Sequence, residues 1–280
     1  MNQTVANQSA ATFDWNLWKD LIPDNAVVAR QRYRLASVKC DMPLIIFPMQ
    51  GSKQLYFSGE TFACNAGEYL MVHSALDISI ENIPSATESY RAWLIAFPWR
   101  VVELTRQLIF GAVETNNKNS GRQITCDKLS IKMIAALERY LQLQNGAASA
   151  SEINLSLINI LLALYEEGST AFLTASDPSL AARMRVMISS NPCKNWLSAD
   201  FEETFHISGA TLRRRLVDEN TSLRLLLREA RLQVALSLLQ TTSKPIKTVA
   251  FECGYQSLSS FRENFIEQFG TAPTAVANYE

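Results

Sequence analysis

Two stretches in the last third of the chain decide its fold: Leu197-Ser-Ala-Asp-Phe-Glu-Glu-Thr-Phe-His-Ile-Ser-Gly-Ala-Thr-Leu-Arg-Arg-Arg-Leu216 and Ile246-Lys-Thr-Val-Ala-Phe-Glu-Cys-Gly-Tyr-Gln-Ser-Leu-Ser-Ser-Phe-Arg-Glu-Asn-Phe265. In the first, Ser198 has the chemistry of an N-cap for a scaffold helix that buries Phe201 and Phe205. Ser208 caps the next helix, whose apolar Leu212 and Leu216 share one face and leave Ala210, Thr211, Arg213, Arg214 and Arg215 outward. In the second, Val249, Ala250 and Cys253 pack a scaffold helix, and Gly254 supplies the positive φ that ends it. Ser257 then caps a helix whose Phe261, Phe265 and Phe269 form the core stripe, leaving Leu258, Ser259, Ser260, Arg262 and Glu263 outside. Residues 222–239 hold no Gly or Pro and read as one connecting helix. Two helix-turn-helix units on one long helix present two second helices to successive major-groove segments of a duplex, about one helical turn apart.

Charge supports this locally rather than globally. From residue 177 onward there are 12 Lys/Arg and 11 Asp/Glu, a difference of +1, within a chain of net charge -1. The arginines nevertheless cluster at 213, 214, 215, 224, 228 and 231, against Asp218, Glu219 and Glu229. Arg213 and Arg214 lie in the N-terminal half of the first recognition helix, where a guanidinium can donate two hydrogen bonds to guanine. Arg228 and Arg231 on the connecting helix are phosphate-contact candidates.

Upstream, the pattern changes. Leu44-Ile-Ile-Phe47, Lys53-Gln-Leu-Tyr-Phe57, Glu68-Tyr-Leu-Met-Val72, Leu76-Asp-Ile-Ser-Ile80 and Tyr90-Arg-Ala-Trp-Leu-Ile-Ala-Phe97 read as short strands separated by turn residues. Strands at this spacing predict a small antiparallel barrel or sandwich. Beyond Pro98, Val101, Leu104 and Leu108, then Ile131, Ile134, Leu137 and Leu141, recur at helical spacing, with a polar loop over residues 114–121 between them. A further stripe, Leu155, Ile158, Leu162 and Tyr165, marks an amphipathic helix and a candidate dimer seam. The predicted division is a sensor and dimerisation domain over residues 1–168, a linker over 169–177 and a DNA-binding domain over 178–280. The fold class is α+β, an antiparallel β-barrel with following helices and then an all-α domain with two helix-turn-helix motifs.

Other chemistries find little support. The five cysteines (40, 64, 126, 193 and 253) are scattered without C-x-x-C spacing, and His73 and His206 are the only histidines, so neither a metal cluster nor a cofactor is expected. His73 reads as a rim residue of the barrel and His206 as a turn residue. No Gly-x-Ser-x-Gly, phosphate loop or paired-acid signature points to an enzyme. Residues 1–14 lack a signal-peptide pattern, and the apolar run 153–165 is broken by Asn154, Ser156 and Asn159, so no membrane partner and a cytoplasmic location are expected.

The last hundred or so residues resemble the AraC/XylS transcription regulators. The resemblance rests on Arg228-x-x-Arg231-Leu232-x-x-Ala235-x-x-Leu238-Leu239, on Ile246-x-x-Val249-Ala250-x-x-Cys253-Gly254-Tyr255, and on Ser260-Phe261-x-x-x-Phe265-x-x-x-Phe269-Gly270-x-x-Pro273. It places Ala210, Arg213 and Arg214, and in the second unit Leu258, Ser259, Ser260 and Glu263, at the family's DNA-contacting positions. Asn220-Thr-Ser-Leu223 stands where the family usually has Gly-x-Ser-Pro. Asn65-Ala-Gly67-Glu68-Tyr-Leu-Met-Val72 is similar to a strand start in the family's cupin-like sensor barrels, and the whole layout is similar to its virulence-type activators. The resemblance implies an activator that binds double-stranded promoter DNA as a homodimer, meets RNA polymerase, and takes a small-molecule or protein effector on its barrel. Arg32, Arg34, Lys39 and Arg91 are the candidates for an acidic ligand. The alternative is an interaction module whose barrel binds a regulatory protein, with DNA binding secondary.

Overall fold

The structure, a computed structural model, describes residues 26–111, 122–173 and 178–278. Strands β1 (Val27–Ala29), β2 (Tyr33–Cys40), β3 (Leu44–Gln50), β4 (Ser52–Phe57), β5 (Glu60–Asn65), β6 (Glu68–Val72), β7 (Leu76–Ile83) and β8 (Tyr90–Ala96) lead into helix α1 (Trp99–Phe110). Strand β9 (Ile124–Lys128), helices α2 (Ile131–Gln144) and α3 (Ala150–Glu166), and a 3-10 turn at Ala171–Leu173 follow. The C-terminal part is α4 (Leu180–Ser190), α5 (Ser198–Phe205), α6 (Gly209–Asp218), α7 (Leu223–Thr241), α8 (Ile246–Glu252), α9 (Leu258–Phe269) and α10 (Pro273–Val276).

The strands form two antiparallel sheets: of the barrel and the sandwich that their spacing allowed, the structure is the sandwich, not the closed barrel given as the fold class. One has the order β1-β8-β3-β6-β9 and the other β2-β7-β4-β5. The chain crosses between them at Gly51, whose φ is +71° and where a Cβ would stand 2.4 Å from the Ile83 carbonyl oxygen. Only glycine fits that corner. Edge strands β5 and β9 run side by side, yet no backbone ladder joins them among the described residues, so the sheets stay separate along this seam.

Alternation along the five-stranded sheet makes it the middle of three layers. Ile46, Leu70, Val72, Tyr90 and Ala92 point into the sandwich with Leu35, Leu55 and Ile80 of the other sheet. Ile45, Phe47, Tyr69, Met71, Trp93 and Ile95 point the other way, onto α1, α2 and α3. Burial on both faces explains the unbroken apolar run Leu44-Ile-Ile-Phe47. Strands β2, β5 and β9 carry more mixed sequences, and β2 is interrupted by a register shift between Leu35 and Val38, with Ser37 at φ 48°.

The sandwich interior continues into the C-terminal part. Leu232, Ala235, Leu236 and Leu239 of α7, and Phe261, Phe265 and Phe269 of α9, belong to the same apolar cluster as the sandwich residues. Polar bonds stitch this junction: Gln240 Nε2 donates to the Tyr33 hydroxyl (2.9 Å), Thr271 Oγ1 to the Arg34 carbonyl (2.7 Å) and Gln268 Nε2 to the Ser37 carbonyl (3.1 Å). Arg185 Nε donates to Asp41 Oδ1 at 2.8 Å. A second cluster, built from Leu180, Met184, Ile188, Phe201, Leu212, Leu216, Leu226 and Ala230, holds the first helix-turn-helix unit.

Three expectations change. Ile158 is buried among residues of α1, α2 and the sheet, because α3 is covered on most of its circumference. Leu162 and Tyr165 pack against the same core, and only Leu155, 60% exposed, remains open for a dimer seam. The proposed linker is partly core, since Phe172 and Leu173 are buried there, while residues 174–177 and the predicted loop 114–121 lie outside the described residues. His73 is not a rim residue. It is buried, its Nε2 lies 3.0 Å from Thr125 Oγ1, and its ring stacks on Phe172. No helix among the described residues is long and apolar enough to cross a membrane.

Burial holds the His73 imidazole neutral, its pKa pushed down to about 4 from 6.5. A folded-state pKa below the unfolded value gives stability that is fully present above pH 6.5 and is lost as pH falls toward 4. This group contributes about 3 kcal/mol of acid sensitivity. Urea unfolding of wild type and His73→Gln between pH 7 and pH 4 measures it, and the loss of stability on acidification is expected to be smaller in the variant.

Candidate nucleic-acid interface

The first unit is built as its sequence predicts, with one shift at its start. The N-cap of α5 is Leu197 rather than Ser198, because the Asp200 carboxylate accepts from the Leu197 N–H (2.7 Å) while Ser198 Oγ turns to Glu202 (2.6 Å). Lys194 hydrogen-bonds the same Asp200 carboxylate and lowers its pKa. His206 takes the left-handed conformation at the turn (φ 52°), as a turn residue should. Ser208 caps α6 by accepting from the Thr211 N–H at 3.2 Å. Leu212 and Leu216 face the core, Ala210, Arg213, Arg214 and Arg215 are exposed, and Thr211 is half-buried. None of these three arginines forms an ion pair among the described residues. Glu219, just past α6, caps α4 by accepting from the Leu180 and Ala181 N–H groups at 3.0 and 2.9 Å, which ties α6 to α4.

The second unit repeats the plan. Ser257 caps α9, Phe261, Phe265 and Phe269 are buried with successive ring centroids 5.6 and 4.7 Å apart, and Gly270 ends the helix at φ 68°. Ser259, Ser260, Arg262 and Glu263 are exposed and Leu258 is half-buried. The faces of α6 and α9 that carry these residues stay open with the sandwich docked.

Helix α7 joins the units. Its 19 residues rise about 28 Å. A cleft of about 430 Å³ between α7 and α9 is lined by Ser222, Arg224, Arg228, Arg231, Tyr255 and Asn264. The two phosphate candidates occupy it differently. Arg231 is committed to the protein, with Nε donating to the Pro192 carbonyl (2.9 Å) and Nη2 to the Lys194 carbonyl (3.2 Å). Arg228 pairs with Glu267 at 3.0 Å through Nη1, while its buried Nε and the buried Tyr255 hydroxyl have no partner among the described residues. Arg224, exposed at the rim, belongs to the arginine cluster of the sequence but not to its phosphate-contact candidates. Its position on the first turn of α7 was the available signal.

The ligand candidates on the sandwich all lie away from its interior. Arg32 pairs with Glu81 on the surface, Arg34 lies over the Tyr56 ring, Lys39 pairs with Asp77, and Arg91 is exposed. Strand alternation sends the Arg34, Lys39 and Arg91 stems outward, and Arg32 precedes β2. The interior cation is Lys53, 4% exposed, which donates to Asn82 Oδ1 at 2.7 Å; burial lowers its pKa to about 8. Its place in the β4 alternation, on the same buried face as Leu55, was masked by the habit of lysine for solvent.

Fold and site define a class: a regulator with two helix-turn-helix units on a shared helix behind a β-rich N-terminal domain. A model described as the AraC-type transcriptional regulator N-terminus matches residues 22–158, and one described as a helix-turn-helix domain matches residues 202–279. Together these two matches are consistent with a transcriptional regulator of the AraC family. Among curated relatives, it is 33% identical over 122 residues to the HTH-type transcriptional regulator GadX of Escherichia coli K12 (42% of this chain, 44% of GadX). It is 29% identical over 111 residues to YdeO of the same strain (40% of this chain, 44% of YdeO). The matched region thus spans less than half the length of these relatives. Among solved structures, ToxT of Vibrio cholerae strain SCE256 with an unsaturated fatty acid bound is similar in fold, at TM-score 0.60 and 18% identity over 91% of this chain and 96% of ToxT.

Gly254 is the residue on which the Arg231 clamp depends. At its φ of +80° a Cβ would lie 3.0 Å from the Pro192 carbonyl oxygen and 3.2 Å from the Arg231 guanidinium carbon. Gly254→Ala is expected to cost more than about 1 kcal/mol, read as a lowered urea midpoint at unchanged slope.

Proposed function

We propose that the chain is a sequence-specific DNA-binding transcription regulator, and an activator, that places α6 and α9 in successive major-groove segments. The observation that carries this reading is the set Arg213, Arg214 and Arg215: exposed, held on a capped helix, and drawn into no ion pair among the described residues. Arg213 and Arg214 read base edges with Ala210 and Thr211 beside them, while Leu258, Ser259, Ser260, Arg262 and Glu263 supply a weaker second reading. Arg224 and the free edge of Arg228 at the mouth of the α7–α9 cleft take backbone phosphate, and Arg231 serves the fold. Promoter DNA is the partner, with RNA polymerase beside it, and Leu155 is the exposed apolar residue that a homodimer would use.

The N-terminal domain is the sensing half of this reading. An effector there, whether a small molecule or a protein, acts on the second unit through the core it shares with α7 and α9.

The test is binding of the full-length chain to its own upstream DNA and to random DNA across a salt series. Arg213→Ala is expected to lose roughly 1–3 kcal/mol at one base position and to relax preference there. Arg224→Ala is expected to weaken all sequences alike and to reduce the salt slope by about 1. Equal losses on specific and random DNA for Arg213→Ala would make it a phosphate contact and remove it from base readout.

A further inference from the structure

Three strands bring two thiols and a carboxylate together at the open seam between the sheets. Cys64 lies near the end of β5, Glu68 begins β6, and Cys126 lies within β9; their sulfur and oxygen atoms all lie within 4.8 Å of one another. Cys64 is fully buried, whereas Glu68 and Cys126 are half-buried, so the group has one wall in the core and one side toward solvent.

The backbone holds these groups in place. Cys64 and Glu68 flank the β5–β6 turn, and Glu68 Oε2 is held by the Asn65 N–H (2.9 Å) and the Asn65 side-chain amide (3.3 Å). Cys126 is registered against Leu70 in the β6–β9 ladder, and its Sγ reaches across the seam to the Ala63 carbonyl at 3.3 Å. Cys64 stands opposite Lys53 in the β4–β5 ladder, and both are buried. Lys53 has only neutral Asn82 as a hydrogen-bond partner and no ion pair among the described residues.

We propose that Cys64, Glu68 and Cys126 form a binding site for a thiophilic divalent cation of the zinc class, stapling the β5 edge of one sheet to the β9 edge of the other. Zinc–sulfur bonds of about 2.3 Å and zinc–oxygen bonds of about 2.0–2.2 Å place tetrahedral donors roughly 3.4–3.8 Å apart, so closure by about an ångström completes the site. Binding converts two thiols to thiolates and releases two protons. The two thiolates, one carboxylate and the dication sum to a charge of about −1, opposite in sign to the buried Lys53 ammonium. Three protein donors leave a fourth position on the solvent side for water. A disulfide between the same sulfurs would need an added oxidant.

The experiment is a Co²⁺ titration of the reduced, full-length chain. Expected are one equivalent bound with a thiolate-to-cobalt charge-transfer band and tetrahedral visible bands, displacement by Zn²⁺, and a raised Tm with Zn²⁺. C64S and C126S are expected to lose the charge-transfer band, E68Q to weaken binding, and C193S, at an exposed cysteine outside the group, to retain it. Circular dichroism establishes that each variant is folded; C126S, at the half-buried position, carries the test if C64S loses its fold. Absence of the band in folded wild type, its survival in C126S, or its loss in C193S would overturn the site. So would a Cys64–Cys126 disulfide forming in air, seen as loss of two hydrogens by mass, with no metal bound under reducing conditions.

Discussion

The structure depends on one apolar core that runs without interruption from the β-sandwich into the second helix-turn-helix unit. Three buried phenylalanines on α9 contribute to it, each worth about 1.5–3 kcal/mol of burial. The Gln240–Tyr33 hydrogen bond at the same junction adds only about 1 kcal/mol. Apolar burial therefore supplies the adhesion, and the polar bonds set the angle at which the domains meet. Because the phenylalanines occupy one face of α9, Ser259, Ser260, Arg262 and Glu263 are left exposed on the other, and docking the sandwich does not cover them.

Helix α7 extends this constraint to the first unit. Its C-terminal half, with Leu232, Ala235, Leu236 and Leu239, lies in the shared core, and its N-terminal half, with Leu226 and Ala230, lies in the separate core of the first unit. One rigid rod thus belongs to two cores. Helix α7 is therefore the packed connection between the sandwich and the first unit, since no residue of the sandwich belongs to the first unit's apolar core. Arg185 reinforces the link from the other side, pairing with both Asp41 of the sandwich and Glu229 of α7.

Much of the helical C-terminal part was legible because its determinants are local. Ser208, Ser222 and Ser257 cap helices within three residues of themselves, Gly254 supplies a backbone angle, and the Phe261–Phe265–Phe269 stripe follows from helical period alone. The roles of Arg228 and Arg231 were not local. Both sit on one face of α7 with the same chemistry, and what separates them is that Pro192 and Lys194 carbonyls from a distant loop reach Arg231 while Glu267 reaches Arg228. Ile158 was misread for a related reason: an apolar stripe has the same period whether a second copy covers it or α1 and α2 do.

Residue order specifies two capped helix pairs on one long helix, preceded by an alternating β region, because period, caps and turn residues act over a few positions. Tertiary structure alone decided that the β region is two sheets rather than a closed barrel, since the missing β5–β9 ladder depends on the register of strands about sixty residues apart. It also decided that His73 and Lys53 are buried, and that Cys64, Glu68 and Cys126 converge without any motif spacing. Those outcomes depend on which surfaces meet after the chain has folded back on itself, and residue order carries no direct record of that.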